Sequence, residues 1–172
     1  MRIDLKKHIR NIPDFPKPGI LFKDITTLLK NKAAFKQAVD TLVAKYKNKK
    51  IDLVVAVEAR GFILGGAIAH RLGAGFVPVR KKGKLPYRTN SATYELEYGR
   101  DTLEIHHDAI VSDERVLIVD DLLATGGTVK AVTDLVNQLK GKIVGIAFLI
   151  ELKDLKGIAK LKGYPVYSLI KF

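Results

Sequence analysis

The stretch Val116-Leu117-Ile118-Val119-Asp120-Asp121-Leu122-Leu123-Ala124-Thr125-Gly126-Gly127-Thr128 decides how the rest of the chain reads. Val116 to Val119 is a short β-branched apolar run that predicts a buried strand. Gly127 to Leu139 carries Val129, Val132, Leu135, Val136 and Leu139 at helical spacing and predicts a helix. In an open α/β sheet, ligands sit where strands end and helices begin. Gly126 and Gly127 let the backbone approach an anion closely, and the helix N-terminus offers free N–H donors. Thr125 and Thr128 add hydroxyls, so the loop from Ala124 to Thr128 suits one phosphate monoester. Asp120 and Asp121 would repel that anion unless they bind hydroxyls, a metal or both. A ribose 5-phosphate satisfies both halves, its phosphate on the loop and its hydroxyls on the acids. The alternative is an acidic turn beside a glycine helix start. The loop has neither G-x-x-x-x-G-K nor G-x-G-x-x-G, so nucleoside triphosphatases and dehydrogenases are poor fits.

Upstream of this stretch, Phe35, Ala38, Val39, Leu42, Val43 and Tyr46 recur at helical spacing, and Ile51 to Val57 reads as a buried strand. Phe62 to Leu72 fits a buried helix and Gly75 to Val79 a second strand, which together make a βαβ unit and a parallel sheet. Tyr94 to Tyr98 and Thr102 to Ile105 flank Gly99 and Arg100 as a hairpin. Downstream, Ile143 to Ile150 is a strand, Leu152 to Leu161 a helix and Val166 to Ile170 a last strand. The segment with Pro13, Pro16, Pro18 and Gly19 cannot be regular helix and predicts an extended flap. The expected class is α/β: a Rossmann-like, mostly parallel sheet flanked by helices, with an N-terminal segment at 1–30 attached to a core at 31–172.

Length and composition agree with one α/β domain, at 172 residues and 47% hydrophobic. Lys and Arg outnumber Asp and Glu by 30 to 18, a net charge of +12, which points to anionic partners. The lysines are scattered and not interleaved with aromatics, so a nucleic-acid groove is not indicated. With no cysteine there is no disulfide framework, thiolate nucleophile or cysteine zinc site. His8, His70, His106 and His107 lack metal-site spacing and read as structural. Met1 to Arg10 lacks the apolar run of a signal peptide and no stretch approaches a membrane span, so a cytoplasmic protein is expected.

The stretch Val116 to Thr128 resembles the signature of type I phosphoribosyltransferases, which bind 5-phosphoribosyl 1-pyrophosphate (PRPP). Three further segments are similar to the adenine-specific branch of that family, and the resemblance runs from about Ile12 to Phe172. The first, Ile12 to Thr26, is similar to a hood over the base. An extended hood backbone can read adenine with one C=O and one N–H, a pattern that a 6-oxopurine reverses. Ile20 and Phe22 are its adenine-binding candidates, Phe22 by stacking. The second, Glu58-Ala59-Arg60-Gly61-Phe62, resembles the turn that contacts pyrophosphate, with Arg60 as a bidentate clamp. Without the resemblance, Arg60 reads equally well as a structural partner of Glu58 or another acid. The third, Arg80-Lys81-Lys82-Gly83-Lys84-Leu85-Pro86, leads into the hairpin and suits a flexible lid. Arg80 and Lys84 are its candidates for pyrophosphate.

The resemblance implies transfer of the phosphoribosyl group to N9 of adenine, giving AMP and pyrophosphate in purine salvage. Asp120, Asp121, Ala124, Thr125, Gly126, Gly127 and Thr128 would hold the ribose and 5′-phosphate. Arg60 and Glu97 would be catalytic, with Glu97 also meeting the purine as acid/base. Glu95 falls on the same strand face as Glu97, and spacing cannot separate them. Mg²⁺ is implied as cofactor, held by PRPP and water without a direct protein ligand, and a homodimer is implied as the assembly. A phosphoribosyltransferase for xanthine or guanine, or a PRPP-sensing regulator without turnover, is the competing reading; no nucleic-acid-reading element supports the latter.

Overall fold

The structure, a computed structural model, describes residues 3–95 and 99–172. Its backbone falls into two compact units, one up to Thr41 and the other from Leu42 onward.

In the first unit, β1 (Arg10–Ile12) and β2 (Phe22–Asp24) pair antiparallel, with Arg10 opposite Asp24 and Ile12 opposite Phe22. The proline-bearing connection is closed by Phe15 N–H donating to the Ile20 carbonyl and by Gly19 N–H donating to Asp14. The Phe15–Pro16 bond is cis. Helix α1 (Thr26–Lys30) follows, and α2 (Lys32–Tyr46) begins in this unit and ends beyond Thr41. Asn31 caps α2, its side-chain oxygen accepting from Ala33 and Ala34 N–H. Asp24 is the polar centre of this unit. Its carboxylate accepts from Thr26 N–H at 2.9 Å and from Arg10 at 2.6 and 3.0 Å.

The Thr26 N–H, with Arg10 and the Thr26 hydroxyl, draws the Asp24 carboxyl down to about 2. A depressed carboxyl contributes stability above its unfolded value of about 3.9, and that stability is lost as pH falls toward about 2. Asp24→Asn is therefore expected to cost about 2 kcal/mol at neutral pH. Urea unfolding as a function of pH should show the variant and the native chain converging as pH falls below about 3. A constant gap at all pH would contradict this account.

The second unit is built on a seven-stranded sheet among the described residues. Its strands are β3 (Leu53–Val57), β4 (Gly75–Lys81), β5 (Thr89–Glu95), β6 (Arg100–His106), β7 (Arg115–Leu123), β8 (Lys142–Glu151) and β9 (Val166–Lys171). The order is β5-β6-β4-β3-β7-β8-β9, with β4, β3, β7, β8 and β9 parallel and the β5–β6 hairpin antiparallel at one edge. Helix α3 (Arg60–Leu72) joins β3 to β4, and α4 (Gly127–Gln138) joins β7 to β8. The core runs through Val55, Val57, Val79, Ile118, Val132, Leu135, Ile146 and Phe148, all 4% exposed or less.

Most expected strands and helices are present, with differences that bear on the site; the first hairpin strand is Thr89–Glu95 where Tyr94 to Tyr98 was expected, and 96–98 lie outside the described residues. β7 continues through Leu123, so Asp120 and Asp121 lie inside a strand and not after it. β8 pairs with β7 as far as Leu123, whereas β3 pairs with it only to Val119. The acid pair is thus hydrogen-bonded on one side and faces the gap left where β3 has turned into α3. β4 extends to Lys81 and β5 begins at Thr89, which shortens the lid to the turn between them. The helix expected over Leu152 to Leu161 is two short 3₁₀ helices, Lys153–Leu155 and Gly157–Leu161, because Lys156 between them adopts a left-handed φ of 52° that no α-helix continues through.

Candidate active site

A cleft of about 370 Å³ opens at the carboxyl ends of β3 and β7, walled by Glu58, Ala59, Arg60, Lys81, Tyr94, Asp101, Asp120, Asp121, Ala124 and Thr128 among others. Beside it, the loop from Ala124 to Thr128 rims a pocket of about 70 Å³, the scale of one phosphate group. Gly126 holds a φ of 80° just before α4 begins, turning the loop so that the helix's first N–H groups face the pocket. The loop rests on Gly157. A Cβ on Gly157 would lie 2.1 Å from the Ala124 carbonyl oxygen, and one on Gly126 would lie 2.5 Å from the Gly157 carbonyl oxygen. No sequence pattern marks Gly157, since its role depends on contact with a segment thirty residues earlier.

The acid pair is buried, Asp120 at 8% and Asp121 at 6% exposure. Burial, then the neighbouring Asp121 charge, pushes the Asp120 carboxyl well up. Burial also raises Asp121, against the pull of Arg60. Arg60 Nε lies 2.9 Å from Asp121 Oδ2. Arg60 is thus the cation that offsets the charge of the acid pair. That removes much of the repulsion two free carboxylates would direct at a phosphorylated ligand. The Glu58–Ala59 peptide before Arg60 is cis. Gly61 is required by proximity, since a Cβ there would lie 2.8 Å from Asp120 Oδ1.

The structure thus gathers Arg60, Asp120, Asp121, Ala124 and Thr128 at one cleft, with Thr125, Gly126 and Gly127 on the pocket beside it. Arg80 and Lys84 are not on its walls. Arg80 Nε donates to Glu58 at 2.6 Å and Arg80 Nη1 donates to the Lys84 carbonyl at 3.1 Å. The lid turn is further tied by Gly83 N–H donating to the buried Glu104. Lys81, which the sequence left among the lid cations, is on the cleft wall. It shares a strand face with Val77 and Val79, so alternation would have found it had β4 been carried two residues further. Ile20 and Phe22 belong to the first unit, where the Phe22 ring packs edge-on to Phe15 at 5.1 Å. Glu97 lies outside the described residues. Glu95, at the end of β5, is exposed, 3.8 Å from Arg100. His106 and His107 both contact the Tyr87 ring. Among the described residues no group of three His, Cys, Asp or Glu side chains could hold a metal ion.

A loop for one phosphate, a buried acid pair for ribose hydroxyls and an arginine at the next strand end define a site for a phosphorylated ribose. The model of the phosphoribosyl transferase domain family matches residues 25–169. The adenine phosphoribosyltransferase of Brachyspira hyodysenteriae is 57% identical over 170 residues, 99% of this chain and 100% of that one. The crystal structure of adenine phosphoribosyltransferase from Thermoanaerobacter pseudethanolicus superposes with a TM-score of 0.96 at 56% identity, covering 98% of each chain. That of Saccharomyces cerevisiae, complexed with an imino-altritol bisphosphate and adenine, superposes with a TM-score of 0.91 at 44% identity, covering 96% of each. The chain belongs to the phosphoribosyltransferase family and, within it, to the adenine phosphoribosyltransferases, and its fold is the type I phosphoribosyltransferase fold.

Proposed function

We propose that this chain transfers the 5-phosphoribosyl group of PRPP to N9 of adenine, releasing pyrophosphate and giving AMP, as a purine salvage enzyme. The observation that carries the reading is the meeting of the Ala124 to Thr128 loop, the buried acid pair and Arg60 at one cleft. In this mechanism the loop amides and the Thr125 and Thr128 hydroxyls bind the 5′-phosphate, fixing the ribose. Asp120 and Asp121 take the 2′- and 3′-hydroxyls. Arg60 faces the leaving pyrophosphate and stabilises the charge that develops as the C1–O bond breaks through an oxocarbenium-like transition state. Arg80 and Lys84 join it when the Arg80 side chain leaves Glu58 and the lid turn closes. Ile20 and Phe22 seat the adenine, and Glu97 exchanges a proton with its imidazole edge as N9 attacks.

The polar groups around the cleft are oxygens and cations, a donor set that suits Mg²⁺ held through substrate oxygens and water and not in a protein cage. When bound, Mg²⁺ neutralises leaving-group charge. Two copies form the working assembly in this reading, for which the exposed apolar side chains of Ile63 and Phe76 offer a surface. The cytoplasm is its compartment; no helix among the described residues is long and apolar enough to cross a membrane.

With PRPP and Mg²⁺, pyrophosphate release is expected with adenine and at least about a hundred-fold less with hypoxanthine, guanine, xanthine or orotate. No release with adenine would sink the reading, and preferred release with guanine or xanthine would move it to another purine. Glu97→Gln is expected to lower kcat by about a hundred-fold or more. A wild-type rate at saturating substrates would withdraw Glu97.

A further inference from the structure

Among the described residues two cations stand on the cleft wall, Arg60 and Lys81, and they are held differently. Arg60 is set against the buried Asp121. Lys81 reaches the cleft from the last position of β4, and its ammonium lies 3.1 Å from Asp101 Oδ2, with the lysine side chain 60% exposed. Asp101 comes from β6, opposite Tyr94 in the hairpin register, while Lys81 sits opposite Leu103. Its carboxylate is fixed from other directions as well. Oδ1 accepts from Thr102 N–H at 2.9 Å, and the Tyr94 hydroxyl reaches Oδ2 at a long 3.4 Å. Tyr94 and Thr128 of the phosphate loop both line the same cleft. The aspartate is thus anchored to the hairpin, and the lysine is the partner with freedom to move. Each raises the other's charged population. The hydrogen bond to Asp101 holds Lys81 up, and the bonds from Lys81 and Thr102 overcome burial to hold Asp101 down.

An ion pair this exposed does little for folding stability. What it does is confine a long, flexible side chain to one wall of the cleft. We propose that Asp101 is a positioning residue, whose carboxylate holds the Lys81 ammonium where it meets the pyrophosphate of PRPP. The inference rests on the reading of the cleft as a PRPP site. A polyanion carries more charge than one carboxylate, so on binding Lys81 exchanges Asp101 for pyrophosphate oxygens over a short swing. Without Asp101, the lysine must first be gathered from solvent-facing rotamers.

The test is steady-state kinetics on Asp101→Asn, Lys81→Ala and the double variant, with calorimetric titration of PRPP and of pyrophosphate into each in the presence of Mg²⁺ and without adenine. Asp101→Asn is expected to raise the KM for PRPP and the Kd for pyrophosphate about ten-fold, with most of the loss in KM and little in kcat. Lys81→Ala should do the same, and the double variant should be no worse than Lys81→Ala, because Asp101 acts through the lysine. An Asp101→Asn effect that persists undiminished in the Lys81→Ala background would overturn the proposal, as a structural role would be additive. So would tighter PRPP binding on loss of Asp101, the result if its charge merely repels substrate. Wild-type protein that binds neither PRPP nor pyrophosphate would overturn the underlying reading instead.

Discussion

Gly157→Ala is expected to weaken PRPP binding by roughly 10- to 100-fold while the chain still folds, the span that corresponds to about 1–3 kcal/mol of overpacking. The added Cβ would lie 2.1 Å from the Ala124 oxygen, 2.9 Å from Gly126 nitrogen and 3.0 Å from Ala124 carbon, all backbone atoms. No rotamer change relieves such contacts, so the loop must shift. Between Gly157 and α4 the loop has little room, and the shift moves the amides that face the phosphate. Calorimetric titration with ribose 5-phosphate isolates the effect, because that ligand needs the loop and acids but not the lid. Unchanged affinity would mean that the 3₁₀ segment yields and not the loop. Gly126→Ala should be worse, combining a 2.5 Å contact with the Gly157 oxygen and a φ of 80° that alanine disfavours.

Arg60→Ala is expected to lower kcat/KM by about a thousand-fold, the upper range for removing one preorganised donor to a developing anion. It should also destabilise the protein by about 2 kcal/mol, less than a fully buried broken pair would lose, because the Arg60 side chain is 35% exposed. The sign with pH is informative. Burial raises the Asp121 carboxyl and Arg60 opposes that rise, so the variant's carboxyl climbs further. A group raised in the folded state binds more protons folded than unfolded, so the deficit grows as pH rises and shrinks toward about pH 4. Thermal unfolding from pH 4 to 8 would show it. Adding Asp121→Asn should recover stability without recovering activity; a double variant as unstable as Arg60→Ala would mean the loss lies in packing of the arginine stem.

The parts of the site legible in the sequence are those whose chemistry and backbone role coincide. Thr125-Gly126-Gly127-Thr128 is both a helix start and an anion cradle, so one pattern gave both. The parallel sheet followed from periodicity, and an antiparallel hairpin did too, although its first strand lies earlier than expected. What the sequence concealed depends on register and on distant contact. Strand β7 was ended at Val119 because the acids looked like a loop, yet pairing with β8 carries it to Leu123. Lys81 was passed over in favour of Arg80 and Lys84, although the strand's parity puts it on the cleft wall while Arg80 is held by Glu58. The helix over Leu152 to Leu161 was inferred from apolar spacing, which says nothing of the left-handed Lys156.

The glycine contact behind the phosphate loop has a practical reading for protein design. The thirteen residues from Val116 to Thr128 look portable, a cassette to be grafted onto any strand-loop-helix of a parallel sheet. Transplanted alone, the loop would meet whatever side chain the host places after its next strand, and a single methyl there would displace it. A recipient scaffold would need a side-chain-free backbone at the end of the neighbouring strand's connection. The unit of inheritance for ribose-phosphate recognition in this fold is therefore two segments, and a search that scores only the first will accept scaffolds that cannot host it.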